Sequence, residues 1–194
     1  MHHSFAGAER WAQVFDDPER DAWQKPEEVV AAMTISPGMA VADIGAGTGY
    51  FGPHLATAVG RDGHVLALDV EPDMVAHMQQ RFATAGLPQV EARLVDPDDP
   101  GLPASSLDRI LIVDTWHHID DRPIYSARLR AALRPGGQVV IVDYTAESPM
   151  GPPREFRLSP EAIMKDLEGG GLRTRLVPET LPNQFIVLGE RSSD

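Results

Sequence analysis

A short apolar run, Met39-Ala40-Val41-Ala42-Asp43-Ile44, leads directly into Gly45-Ala46-Gly47-Thr48-Gly49, and a helix-compatible stretch follows to about Val59. Glycines at alternate positions do not continue a strand; they permit a tight turn and let a ligand come close to the backbone. Strand, glycine turn and helix together open a βαβ unit, which predicts a mainly parallel sheet covered by helices.

The rest of the chain keeps that alternation. Strands are predicted at His64–Asp69, Val90–Val95, Leu107–Val113 and Val139–Val142, and a closing antiparallel hairpin at Leu172–Val177 and Phe185–Leu188. Helices are predicted from Pro26 to Met33, from Pro72 to near Gly86, over Arg122–Leu133, and from Pro160 to Glu168 with Ser159 as cap. Val139–Val142 is almost wholly apolar and is expected at the sheet centre. Residues 1–38 read as an N-terminal helical cap segment, with Trp11, Val14 and Phe15 close on one helical face. Residues 39–194 form the main domain, and the whole is one globular unit.

Composition removes several function classes. Acidic residues outnumber basic ones 29 to 17, for a net charge of −12, and the only lysines are Lys25 and Lys165. A chain so charged is poorly built to gather phosphates, so neither nucleic acid nor an anionic membrane is an expected partner. With no cysteine there is no thiolate nucleophile and no Cys-ligated metal. The start lacks an apolar signal core and no run of 18 apolar residues exists, so a cytoplasmic location is expected.

Asp69 ends the second strand twenty residues after Gly49, where a carboxylate can accept hydrogen bonds from both ribose hydroxyls. A nicotinamide dinucleotide would also suit a strand–turn–helix unit. Its loop reads Gly-x-Gly-x-x-Gly, however, and here Asp43 would sit badly beside a pyrophosphate. An ammonium or sulfonium ligand suits that carboxylate better.

With these residues in place, the chain resembles a class I S-adenosylmethionine-dependent methyltransferase, in the ubiquinone-biosynthesis-like small-molecule branch. Asp43 to Gly49, with Gly45, Ala46, Gly47 and Gly49, match the family's glycine motif, and Asp69 with Val70 its ribose-binding step. Asp96 matches the acid before the adenine-contacting loop, with Asp98 as the alternative. Asp108-Arg109-Ile110 matches the step into strand four, and Leu133-Arg134-Pro135-Gly136-Gly137 the turn before strand five. Thr115 to Asp120 resembles the segment after strand four in that branch. The resemblance implies a Rossmann-like α/β fold: a seven-stranded sheet of order 3-2-1-4-5-7-6, strand 7 antiparallel, helices on both faces. It implies S-adenosyl-L-methionine as cofactor, held at the carboxyl ends of strands one, two and four, with Asp114 among the contacts.

The reaction so implied is in-line displacement on a small-molecule acceptor, in which the protein chiefly orients and desolvates the pair. His117 or His118 could take a proton from a hydroxyl or amine acceptor, although packing is the competing role for each. Asp143, which ends strand five toward the ligand edge, is a further catalytic candidate, with helix support as its competing role. Trp11, Phe15, Trp23 and Tyr144 are expected to line the acceptor pocket, and Trp23-Gln24-Lys25-Pro26 could close over the methionine end. His2 and His3 could join His117 and His118 around a metal, but the spacing is not diagnostic and none is expected. A short chain leaves the pocket open or completed by a second copy, so a homodimer is one expected arrangement. Two other readings stand beside this one: a non-catalytic S-adenosylmethionine-binding regulator and an NAD-dependent oxidoreductase.

Overall fold

The computed structural model describes residues 16–193. Trp11, Phe15, His2 and His3 lie outside them. Two short helices come first, α1 (Arg20–Gln24) and α2 (Pro26–Ala32). Lys25 separates them in a left-handed conformation, φ 46°, because the proline that opens α2 keeps the preceding residue out of the right-handed helix. The alternating part follows: β1 (Ala40–Ile44), α3 (Gly52–Val59), β2 (His64–Asp69), α4 (Pro72–Thr84), β3 (Val90–Leu94), β4 (Leu107–Val113), α5 (Arg122–Ala132), β5 (Leu133–Tyr144), α6 (Pro160–Gly169), β6 (Arg173–Val177) and β7 (Gln184–Glu190).

The strands form one sheet of order β3-β2-β1-β4-β5-β7-β6. Strands β1 to β5 pair in parallel and β7 runs antiparallel to both β5 and β6, as expected. The two-residue alternation of each strand divides the core. Val41, Leu111, Val140 and Val142 face α2, α3 and α4, where Val29, Leu55 and Met78 meet them. Ala42, Ile110, Ile112 and Ile141 face the opposite layer, with Leu129 of α5 and Leu167 of α6.

Two boundaries differ from the sequence reading by three residues or more. Helix α3 starts at Gly52, because Ala46 and Gly49 close successive turns first, accepting from the Gly49 and Gly52 amides. Strand β5 starts at Leu133 rather than Val139. There the backbone of Gly136 and Gly137 exchanges two 2.9 Å hydrogen bonds with Arg191, a long-range ladder that the local Pro-Gly-Gly sequence disguises as a plain turn. Because β1, β2, β4 and β5 run the same way, their carboxyl ends share one edge. The chain leaves β1 and β4 toward opposite faces there, opening the crevice where such sheets bind ligands. No helix among the described residues is long and apolar enough to cross a membrane.

Candidate active site

The glycine turn is held from beneath. The Gly45 and Ala46 amides both donate to the Leu68 carbonyl, at 2.9 and 3.0 Å. Gly45, Gly47 and Gly49 all have positive φ, at 73°, 58° and 80°. At Gly45 space matters as much as the dihedral, since a Cβ would come within 2.3 Å of Thr115 Oγ1 in the segment after β4. Asp69 ties the turn to the end of β2: its Oδ2 accepts from the Gly47 amide at 2.8 Å and its Oδ1 from the Glu71 amide at 3.0 Å. Each oxygen keeps acceptor capacity for a further donor. Val70 beside it is 45 % exposed.

Four carboxylates meet along this edge. Asp43 is buried, and burial pushes its pKa up to about 7 against the pull of Arg20, with Asp69 adding to the rise. Burial also raises Asp69, opposed by its backbone hydrogen bonds. Asp114, at the end of β4, has a left-handed backbone, φ 54°. Burial first, and then the charge of Asp143, push it up to about 7. Such a cluster of desolvated acids is a site that a cationic ligand would relieve.

Asp143, at the end of β5, is buried against His117. Nδ1 of His117 lies 3.1 Å from both carboxylate oxygens, and the two side chains are 4 % and 1 % exposed. The Tyr144 amide donates to the same carboxylate at 2.8 Å. His118 is exposed, and its ring centroid lies 4.2 Å from that of His117. Trp116 anchors this turn from the core side, fully buried against Tyr125 and hydrogen-bonded to Asp166 of α6.

Helix α1 lies across this edge. Arg20 places its guanidinium 3.9 Å from the ring centroid of Tyr50 and 5.9 Å from that of Trp23, and it donates to Gln24 at 3.1 Å. Gln24 donates to Gln184 at 2.7 Å, and Gln184 to Asp114 at 2.6 Å, so a polar chain runs from the helix to the end of β4. Trp23 and Tyr144 stand 6.5 Å apart, and burial raises the Tyr144 phenol, helped by Asp114.

The profile of the family described as "Methyltransferase domain" matches residues 41–137, from β1 through the turn before the long part of β5. The chain belongs to this family. A phosphoethanolamine N-methyltransferase of Arabidopsis thaliana is 31 % identical over 158 residues, which are 80 % of this chain and 31 % of that protein. A nocamycin O-methyltransferase of Saccharothrix syringae is 31 % identical over 147 residues, 75 % of this chain and 49 % of that one. The chain therefore spans a third to a half of these relatives. The crystal structure of a SAM-dependent methyltransferase from Aquifex aeolicus superimposes with a TM-score of 0.87 at 29 % identity, covering 95 % of this chain and 98 % of that one.

The cofactor of this methyltransferase domain is S-adenosylmethionine, and the nicotinamide reading has no support among these likenesses. The donor set fits the cofactor. Asp69 has lone pairs left for a ribose, and the buried Asp43 and the partly exposed Asp114 are acids suited to a positive charge. Of the expected residues, the structure brings together Asp43, Gly45, Ala46, Gly47, Gly49, Asp69, Val70, Asp114, His117, Asp143, Trp23 and Tyr144. Asp96 lies on the exposed loop after β3, next to Val95, whose amide donates to the Asp69 carbonyl at 3.0 Å, and its Oδ1 accepts from the Asp98 amide at 2.9 Å. Among the described residues no group of three His, Asp or Glu side chains is placed to hold a metal.

Two residues of the site escaped the sequence reading. Arg20 was hidden in a charged stretch, Asp16-Asp17-Pro18-Glu19-Arg20-Asp21, that looks like a solvated surface. Gln184 was hidden at the mouth of the last strand. The signal available was its amide heading an otherwise apolar run, Phe185-Ile186-Val187-Leu188.

Proposed function

We propose that this domain transfers the methyl group of S-adenosylmethionine to a small-molecule acceptor by in-line displacement. One observation carries the acceptor side of the reading: a buried His117–Asp143 pair stands beside Asp114 on the edge where the glycine turn and Asp69 end. Both curated relatives quoted above are named for small acceptors, which supports the class. The segment Thr115 to Asp120 favours the ubiquinone-biosynthesis-like branch. The charge of −12 argues against nucleic acid as substrate.

S-adenosylmethionine supplies a methyl carbon already activated by a sulfonium charge. Asp69 receives the ribose and Val70 covers the adenine, with Asp96 or Asp98 beyond it. The Gly45–Gly49 turn lets the ligand approach the backbone. Asp43 and Asp114 answer its positive charges, and Arg20 takes its carboxylate. Helix α1 and the described residues around it, 16–38, cap the site, while Trp23 and Tyr144 wall off water on the acceptor side. Asp143 holds the Nδ1 proton of His117, which leaves Nε2 to accept a proton from a hydroxyl or amine as it attacks. Orientation and water exclusion supply most of the acceleration; the base adds to it when the acceptor arrives protonated.

Calorimetric titration with S-adenosylhomocysteine, with NAD as comparator, tests the cofactor half. Saturable binding of the first alone is expected, weakened in Asp69→Ala. The Asp69→Asn variant separates ribose binding from support of the Gly47 amide, because it keeps an acceptor for that bond. Failure of the folded wild-type protein to bind S-adenosylhomocysteine would overturn the reading.

A further inference from the structure

Strand β3 is one edge of the sheet, and among the described residues nothing pairs with its outer side. The Gln89 carbonyl and the Val95 amide both bond to β2, at 2.9 and 3.0 Å. Parallel pairing alternates, so residues 89, 91, 93 and 95 point their backbone at β2, and Val90, Ala92 and Leu94 point theirs outward. Of these outward groups the Val90 amide is engaged with Leu87 at 3.1 Å. The side chains alternate as well. Glu91 and Arg93 share one face, and Val90, Ala92 and Leu94 share the other.

We propose that β3 pairs antiparallel with β3 of a second copy of this chain, about a two-fold axis at Ala92, joining two sheets into one. In that register Ala92 exchanges both its hydrogen bonds with its own copy, and the Leu94 amide of each chain meets the Val90 carbonyl of the other. The backbone groups that face outward are the ones this register uses. It also sets Glu91 of each chain opposite Arg93 of the other, so the charges that blunt this edge against other strands are complementary to themselves. At present they satisfy each other within one chain, with Arg93 Nη2 2.9 Å from Glu91 Oε1.

The apolar side agrees. Leu94 is a large hydrophobic side chain left 50 % exposed. Beside the strand lies a cavity of about 540 Å³ bordered by Phe82, Ala83, Leu87, Pro88, Val90 and Ala92. Pairing about Ala92 places Leu94 of one copy next to Val90 of the other, on the face of the strand that borders this groove. The opposite edge of the sheet, β6, lacks the property. Its middle residue is Arg175, with Arg173 two positions away, and pairing it with itself sets arginine against arginine. The interface ends two residues before Asp96, so it borders the loop assigned above to the adenine without requiring that assignment.

Sedimentation equilibrium of the full chain, across a concentration series, tests this. A concentration-dependent dimer is expected. Ala92→Pro removes the central donor at a position whose amide faces away from the sheet, where proline is tolerated on an edge strand. It should give monomer with an unchanged circular dichroism spectrum. Glu91→Arg sets like charges across the axis and should raise the dimer dissociation constant about tenfold or more, while Glu91→Arg with Arg93→Glu should restore it. A monomeric wild type overturns the proposal. So does a dimer indifferent to both Glu91→Arg and Ala92→Pro. Binding of S-adenosylhomocysteine, measured on the same samples, reports on the cofactor site independently of either result.

Discussion

At the scale of single residues, Gly45 shows why the turn tolerates no substitute. Its φ of 73° is unfavourable for a side chain, and its Cβ position is already filled by Thr115. Gly45→Ala is expected to cost about 1–3 kcal/mol from overpacking alone, more with the dihedral strain, measured as a lower urea midpoint. The double variant with Thr115→Ala should recover only part, since removing the clash leaves the dihedral. Arg20 offers a sharper test. If its guanidinium takes the cofactor's carboxylate, Arg20→Gln should weaken S-adenosylhomocysteine about tenfold to a hundredfold, the range for a lost charged hydrogen bond. Methylthioadenosine, which lacks the amino acid, should bind as before. Equal losses for both ligands would show that Arg20 acts by supporting Tyr50 and Trp23. At His117, Asp143→Asn keeps the shape but not the charge that orients the ring. It should lower kcat by about 10²-fold or more while S-adenosylhomocysteine affinity holds. An unchanged kcat would assign the pair to packing, the competing role that its burial equally allows.

Between residue and fold, α1 is the element whose position decides how the site opens. Its five residues are too few to be stable alone, so tertiary contacts must hold it. The Gln24–Gln184–Asp114 chain is one such tether. Another is Lys25, whose ammonium donates to the Thr180 carbonyl and hydroxyl, at 2.5 and 2.6 Å. Gln184→Leu keeps the volume but strands the Gln24 amide and takes one donor from Asp114, which keeps only the Tyr144 phenol. Faster hydrogen exchange over residues 20–24 and weaker S-adenosylhomocysteine binding are expected. Unchanged exchange there would mean that Lys25 and Arg20 suffice to hold the helix. The elements of the sheet were far more legible than this one. His64–Asp69 and Leu107–Val113 appear with the predicted ends, because each is an apolar run bounded by turn residues. Helix α1 carries no such period. Its place follows from partners up to 160 positions distant, which no local pattern announces.

For the whole molecule, the gathering of acids on one edge makes stability depend on pH. Asp43 and Asp114 are raised to about 7 in the folded chain and return to the ordinary carboxylate range, near 4, when it unfolds. Between those values the folded state holds more protons, so their contribution to stability is present in full below about pH 4 and is lost as pH rises through 7. Asp69 shifts in the same direction. Glu28, lowered chiefly by its hydrogen bond from Thr180, acts in the opposite sense, but only below its usual range. Ligand-free protein should therefore melt lower at pH 8 than at pH 5, and Asp43→Asn should flatten the difference. A melting temperature that rises between those two values would show that this cluster does not govern the profile. Ligand affinity should run the other way, since ionised Asp43 and Asp114 attract the positive cofactor. S-adenosylmethionine should gain on neutral-sulfur S-adenosylhomocysteine as pH rises through 7.

What the sequence determined by itself was the cofactor and the topology. The alternation of apolar runs with helical stretches, the glycine turn and Asp69 are local patterns; they gave a mainly parallel sheet, and the family resemblance that their motifs carry implied the order β3-β2-β1-β4-β5-β7-β6 and the cofactor edge. The tertiary structure alone decided which of two adjacent histidines meets a carboxylate. His117 and His118 differ by one position, and only the rotation of the Trp116-anchored turn aims the former at Asp143. It also recruited Arg20 and Gln184, because a buried charge or amide is placed by the partners that satisfy it, and here those partners come from opposite ends of the chain.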